Sequence, residues 1–256
     1  MTEESNPDER IVTAGVLIIG NEILSGRTQD ENLLYIAKGL SRIGVLLREA
    51  RIVPDIAEVI IATLNEMRAK FDYVFTTGGI GPTHDDITLQ CVASAFDVPC
   101  TLHPRALSIL QEWSRDESDQ PNPARLRMVT APEGSDLLID PVSGAPGFRM
   151  GNVFIMAGIP QMMRPMFDHL RSTLEGGNPL VSRSVRCDLP EDTIAKGLED
   201  IQNRFREFDL GSYPWQDGSK FGTSLVVRGR DIDRVKAATQ EVVNMVRSLG
   251  GNPEEE

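Results

Sequence analysis

Thr76-Thr77-Gly78-Gly79-Ile80-Gly81-Pro82-Thr83-His84-Asp85-Asp86 is the stretch on which the reading of this sequence turns. It follows directly on Tyr73 to Thr77, a short apolar run that reads as a buried strand. It leads into a segment where Ile87, Cys91 and Ala95 lie beside Leu89, Val92 and Phe96, two adjacent stripes that predict a helix over 85–96. Three glycines within four positions, between a strand and a helix, let the backbone approach a ligand with its N–H groups turned outward. The helix that follows aims free N–H groups at the same place, so Thr77, Gly78, Gly79, Gly81 and Thr83 would cradle a phosphate or pyrophosphate. The stretch is neither the G-x-G-x-x-G fingerprint nor a P-loop. Thr83 and Asp86 also have capping-box spacing, which would account for both without any function.

Working outward, the apolar pattern alternates between two periods. Ile11 to Ile19 predicts a strand buried on both faces, and Leu33, Leu34, Ala37, Leu40 and Ile43 a helix closed by Gly44. Val45 to Val53 predicts a second strand, and Val59, Ile60, Thr63, Leu64 and Met67 a second helix. Residues 103–130 read as irregular and helical material, followed by a strand over 153–156 and a helix over 160–174. The expected fold class is α/β, a doubly wound, mostly parallel sheet occupying residues 11–175. A Gly-Gly-Asn-Pro break at 176–179 suits a linker, and residues 182–249 predict a small α+β domain in β-α-β-β-α order. Residues 1–10 and 250–256 are polar and acidic and are expected to be disordered tails.

Composition narrows the function. The 256 residues carry 26 basic and 38 acidic side chains, a formal charge of -12, which argues against a duplex-DNA or anionic-membrane surface. Cys91, Cys100 and Cys187 form no C-x-x-C pair, and the three histidines have no zinc spacing, so free thiols in a reducing compartment are expected. With neither a signal-peptide pattern nor an apolar run of membrane-spanning length, a cytoplasmic protein is expected.

In a doubly wound sheet ligands bind beyond the carboxyl ends of the strands. Three further exits therefore matter. At Gly20-Asn21-Glu22-Ile23-Leu24-Ser25-Gly26, Glu22 would orient a heterocycle or join a metal shell, and Asn21 and Ser25 would meet the ligand; a solvated loop with Asp30 capping the next helix is the plainer account. At Pro54-Asp55, a helix N-cap is the plain account of the carboxylate. Carboxylates at neighbouring exits beside an anion cradle also suit a Mg²⁺-phosphate substrate, with Glu22, Asp55 and Asp86 as the oxygen ligands. The loop Asp140-Pro141-Val142-Ser143-Gly144-Ala145-Pro146-Gly147-Phe148 would close over the ligand through Ser143, Gly144, Pro146 and Gly147, or else form a β-turn. His84 has no Ser or Cys partner at triad spacing, and Trp215 reads as a surface anchor.

These residues carry a resemblance. Residues 11–174 resemble the MoaB/Mog molybdopterin-binding domain, in the subgroup at the front of CinA-type (competence/damage-inducible) proteins and of eukaryotic FAD synthases. The match rests on residues 20–26, on Asp30 with Asn32, on the near-verbatim TTGGxGPTxDD of residues 76–86, and on Ala145-Pro146-Gly147-Phe148 with Gly158-Ile159-Pro160. Residues 182–249 are similar to the small domain that follows in CinA-type proteins. The resemblance implies a site for molybdopterin or a nucleotide diphosphate, with Mg²⁺ or another divalent cation such as Co²⁺. In the Mog branch that means adenylylation of molybdopterin, with essential acids falling on Asp55 and Asp86. In the CinA branch it means a metal-dependent pyrophosphatase acting on ADP-ribose or related dinucleotides. The amidohydrolase domain of full-length CinA proteins lies beyond the matched residues, so its deamidase activity is not implied. Leu89 stands where the Mog pattern has proline, which leans away from adenylyltransfer, and Gln161-Met162 replaces a family Ser-Glu. A non-catalytic scaffold is the remaining reading. The expected partner is a small phosphate-containing molecule, with no nucleic acid and no membrane; family likeness implies a homo-oligomer, dimer or trimer.

Overall fold

A computed structural model describes residues 11–112, 122–139 and 145–255. The chain divides between Gly177 and Asn178 into two compact units. The first runs β1 (Thr13–Ile19), α1 (Asn21–Leu24), α2 (Asn32–Arg42), β2 (Leu46–Val53), α3 (Ala57–Lys70), β3 (Tyr73–Thr77), α4 (Thr88–Ala95), β4 (Cys100–Leu102), α5 (Pro104–Glu112), α6 (Pro123–Met128), β5 (Thr130–Pro132), β6 (Asp136–Ile139), β7 (Pro146–Met150), β8 (Val153–Met156) and α7 (Pro160–Arg171).

One sheet has the order β2-β1-β3-β8-β7-β6. Its first four strands are parallel, while β7 and β6 run antiparallel. The chain steps from β1 to β2 in one direction and from β2 back past β1 to β3 in the other. Right-handed crossovers therefore put α2 and α3 on opposite faces. α7 packs on α2 and α4 on α3. How tightly the two layers press shows at two glycines: a Cβ on Gly39 of α2 would lie 2.3 Å from the Phe167 ring, and one on Gly15 of β1 would lie 2.6 Å from Met67. Covered on both sides, β1 buries all but its first residue, as its unbroken apolar run predicts. Phe75 stacks on Phe154 at 5.2 Å and meets Phe167 edge-on at 5.7 Å, each ring contributing about 1.5–3 kcal/mol through burial.

Helix α4 departs from expectation. It starts at Thr88, not near Asp85, because residues 81–87 are spent on the loop out of β3.

The second unit runs β9 (Val181–Cys187), α8 (Glu191–Arg204), β10 (Asp209–Asp217), β11 (Lys220–Gly229), α9 (Ile232–Ser248) and β12 (Glu254–Glu255), with antiparallel sheet order β10-β11-β9-β12. Val185, Cys187, Leu225 and Val227 share one face of that sheet and form a core with Ile194, Ile201, Val235 and Val242 of the helices. Asp231 caps α9, accepting from the amides of Asp233 and Arg234. Trp215 donates its indole N–H to the Cys187 carbonyl, and the Arg186 guanidinium lies 3.8 Å over its ring.

The expectation for residues 250–256 is corrected: Glu254–Glu255 pair with β9, and Asn252 donates backbone and side-chain N–H groups to Asp188 at 2.8 and 2.6 Å. β9 would otherwise offer an open sheet edge, and unpaired strand groups recruit any chain within reach. Residues 1–10 and Glu256 lie outside the described residues. Among the described residues, no helix is long and apolar enough to cross a membrane.

Candidate functional site

The parallel strands β2, β1, β3 and β8 all end on one edge of the sheet, so the segments leaving them stand side by side. The exit of β3 is fixed by close backbone approach. Gly78 (φ +99°) donates its N–H to Met156 O at 3.2 Å, and a Cβ there would sit 2.1 Å from Ile19 O. Gly79 (φ +67°) passes over the start of α4, where a Cβ would sit 2.2 Å from Thr88 Oγ1. Thr88 is fully buried; its hydroxyl donates to Gly78 O at 2.9 Å and its N–H to Gly79 O at 3.0 Å. Strand end, turn and helix start are thereby fastened together. The amides of Gly79, Ile80 and Gly81 donate to no protein acceptor among the described residues.

Asp86 closes the loop. Its Oδ2 accepts from the Thr83 N–H at 2.8 Å and from the Thr83 hydroxyl, leaving Oδ1 without a protein partner among the described residues. This is half of the capping box, yet the helix begins two residues later, so the carboxylate pins a loop and does not cap α4. Gly81 passes so near that a Cβ would lie 2.6 Å from Asp86 Oδ2. Arg127 of α6 donates to Thr83 O at 2.7 Å and braces the same loop from outside.

Over the β3 exit opens a cleft of about 610 Å³. Glu22, Thr28, Asp86 and the run Gly78–Pro82 give it polar groups, and Met128, Pro146, Ile159 and Met162 are among its apolar walls. A planar apolar body carrying an anionic end matches that distribution. A recess of about 50 Å³ behind the turn is lined by Asn32, Thr77, Asp30 and Gly158.

The predicted residues separate clearly. Gly78, Gly79, Gly81, Glu22, Asp86 and Pro146 line the cleft. Several others do not. Thr77 is buried in the sheet and reaches only the recess. Thr83 bonds Asp86 and stands outside the lining. Ser25 turns back to donate to Glu22 O. Gly147 is a buried residue of β7, where a Cβ would press on Ile155 O at 2.8 Å; the antiparallel strand needs its lack of a side chain, and it stands outside the cleft lining. Ser143 and Gly144 lie outside the described residues. Asp55 does not cap α3, whose N-cap is Ile56; it reaches across to the first residue of α1 and accepts from the Asn21 N–H at 2.9 Å. Neither Asn21 nor Asp55 lines the cleft. Asp30 does serve its helix, accepting from Leu33 N–H at 2.9 Å.

The expected three-carboxylate metal set is not assembled: among the described residues, no three His, Cys, Asp or Glu side chains gather where they could hold a metal ion. Glu22 and Asp86 share the cleft, and Mg²⁺ uses one or two carboxylates plus substrate phosphates. The donor set suits a cation arriving with a phosphate and does not suit a protein-built cage.

Thr28, Met128 and Met162 are cleft residues that pattern reading missed as such. Thr28 gains its place because its N–H folds back onto Glu22 O, and Met128 because α6 is brought in from a distant part of the chain. Neither carries a local motif. Gly158 did carry a signal: a Cβ there would stand 3.1 Å from Gly78 Cα, so the glycines of two exits abut.

Comparison with known proteins fits this geometry. Residues 15–175 match the family described as probable molybdopterin binding domain, and residues 179–251 match the FAD synthase middle domain. A protein of Archaeoglobus fulgidus is 30% identical over 227 residues, covering 88% of this chain and 94% of its own. A probable FAD synthase of Caenorhabditis elegans is 30% identical over 93% of this chain, which spans 50% of that protein. The crystal structure of CinA, described as of unknown function, from Thermoplasma acidophilum superimposes with a TM-score of 0.57 at 28% identity, over 63% of this chain and 97% of that one.

Proposed function

Because the chain belongs to the probable molybdopterin-binding domain family, we propose that its cleft holds a phosphate-bearing heterocycle, molybdopterin or a nucleotide diphosphate, with the phosphate on the β3 exit. One observation carries this reading: the unpartnered amides of Gly79, Ile80 and Gly81 lie where the cleft is lined by Gly78–Pro82. Such amides bind anions without a Lys or Arg, which reconciles a phosphate site with a chain of formal charge -12. The apolar walls would take the ring.

A second reading, hydrolysis of a dinucleotide such as ADP-ribose, is favoured by the two carboxylates in the cleft. Water would add to one phosphorus and the bridging P–O bond would break, giving AMP and ribose 5-phosphate with release of a proton. The glycine amides would orient the phosphate, and Asp86, with Oδ1 free, would accept the proton from water. A divalent cation bound with the substrate, held by Glu22, would offset phosphate charge.

Calorimetry with ADP-ribose and Mg²⁺ or Co²⁺, alongside chromatography for AMP, tests both. Heat without AMP supports binding alone, and AMP release supports hydrolysis. In that case Asp86→Asn lowers turnover at least a hundredfold, as expected for loss of a general base, with affinity changed about threefold or less. Equal loss of both would remove Asp86 from the chemistry. No heat with ADP-ribose, ADP or molybdopterin would remove the site.

A further inference from the structure

The carboxylate on the second strand's exit has a place that the reading of the cleft does not use. Asp55 follows β2, the edge strand beside β1, and its Oδ2 accepts from the backbone N–H of Asn21 at 2.9 Å. Asn21 is the first residue of α1, and that helix has no cap of its own: its N-cap residue is Gly20, which carries no side chain. The next residue, Glu22, lines the cleft. Its carboxylate folds back over Gly20, so that a Cβ there would lie 2.5 Å from both carboxylate oxygens. Asp55 itself is absent from the cleft lining and joins no group of three metal-ligating side chains.

We propose that Asp55 is a positioning residue: reaching across from β2, it caps the first turn of α1 and thereby sets Glu22 against the cleft, and it does not hold a cation. The proposal rests on the cleft being the ligand site. It explains why a carboxylate stands at this exit without using it as a metal ligand. An orphan helix N–H is satisfied by an Asp or Asn oxygen about equally well, so the role belongs to the oxygen and not to the charge. Metal ligation has the opposite requirement, since a hard cation strongly prefers the ionised carboxylate to an amide of the same shape.

Asp55→Asn and Asp55→Ala separate the two roles. Amide exchange at Asn21 reads the cap with no ligand present: Asp55→Ala should speed it about tenfold, as for loss of one capping bond, and Asp55→Asn should leave it within about threefold. In calorimetry with ADP and Mg²⁺, Asp55→Asn should keep affinity within about threefold and leave the Mg²⁺ dependence unmoved. Asp55→Ala should weaken binding about tenfold, and Asp55→Ala combined with Glu22→Gln should bind no worse than Glu22→Gln alone, because Asp55 acts through Glu22. Unchanged Asn21 exchange in Asp55→Ala overturns the proposal whatever the ligand. So does an Asp55→Asn protein whose Mg²⁺ requirement rises tenfold, or additive losses in the double variant. If wild-type protein binds no ADP while the exchange results hold, the cleft reading falls and the cap stands.

Discussion

Gly79→Ala should be among the most damaging small substitutions in the first unit, and its cost can be assembled from the structure. Residue 79 has φ +67°, where an alanine is disfavoured by about 1–2 kcal/mol. The added methyl would also sit 2.2 Å from Thr88 Oγ1. To make room the buried hydroxyl must turn away from Gly78 O, losing a hydrogen bond worth about 1 kcal/mol net and stranding a carbonyl. The sum is about 2–4 kcal/mol. Gly26→Ala is the internal control: φ there is +71°, but no atom lies within 4 Å of the added methyl, so only the backbone cost of about 1–2 kcal/mol applies. Urea unfolding followed by circular dichroism measures both, with the first unit's transition read separately if the two units melt apart. Removing the obstructing hydroxyl gives a sharper check, since Gly79→Ala in a Thr88→Ala background should cost only about as much as Gly26→Ala in wild type. If Gly79→Ala costs no more than Gly26→Ala in the wild-type protein, the fastening of turn to helix by Thr88 is wrong.

Burial, aided by the Glu58 charge, pushes the Cys91 thiol up to about 11, so in the Cys100→Ser, Cys187→Ser protein it should ignore an aromatic disulfide reagent at pH 8 until urea is added. Rapid labelling of folded protein would refute that burial. Asp188 is held below the usual carboxylate range by the Asn252 backbone N–H and then by its side-chain amide. A depressed folded value means the clasp contributes fully above the unfolded value near 3.9 and is lost as pH falls through the lower folded one. Protection factors at 252–255, taken against the intrinsic exchange rate at each pH, should therefore fall as the solution is acidified below about pH 4, and Asp188→Ala should show the low protection already at neutral pH. Protection at those amides that ignored both changes would show that the clasp does not hold the segment.

The strands were legible because covered parallel strands announce themselves: the Ile11 to Ile19 run had only one structural use. The glycine turn was legible for a related reason, since Gly78 and Gly79 occupy left-handed backbone with main chain or a buried hydroxyl pressed against them. Side-chain destinations were harder to read. Asp55 before a helix looks like a cap for that helix, and nothing local says that it caps a different one 34 residues earlier in the chain. Gly147 looked like loop glycine because a Gly/Pro-rich string hides a strand whose neighbour comes too close for a methyl group. The closing segment at 250–255 reads as a tail by its polarity, whereas the edge of β9 requires only a backbone to pair with. In each case the deciding contact is distant in sequence and leaves no periodic trace.

Where Gly158 abuts Gly78, two loops meet through main chain alone. Amides and carbonyls at that meeting point are almost indifferent to side-chain identity, because every residue type but proline supplies the same pair. If the cleft holds a ligand as proposed, a change of guest falls to side chains of the surrounding rim, such as Thr28, Met128 and Met162, and not to this main-chain contact.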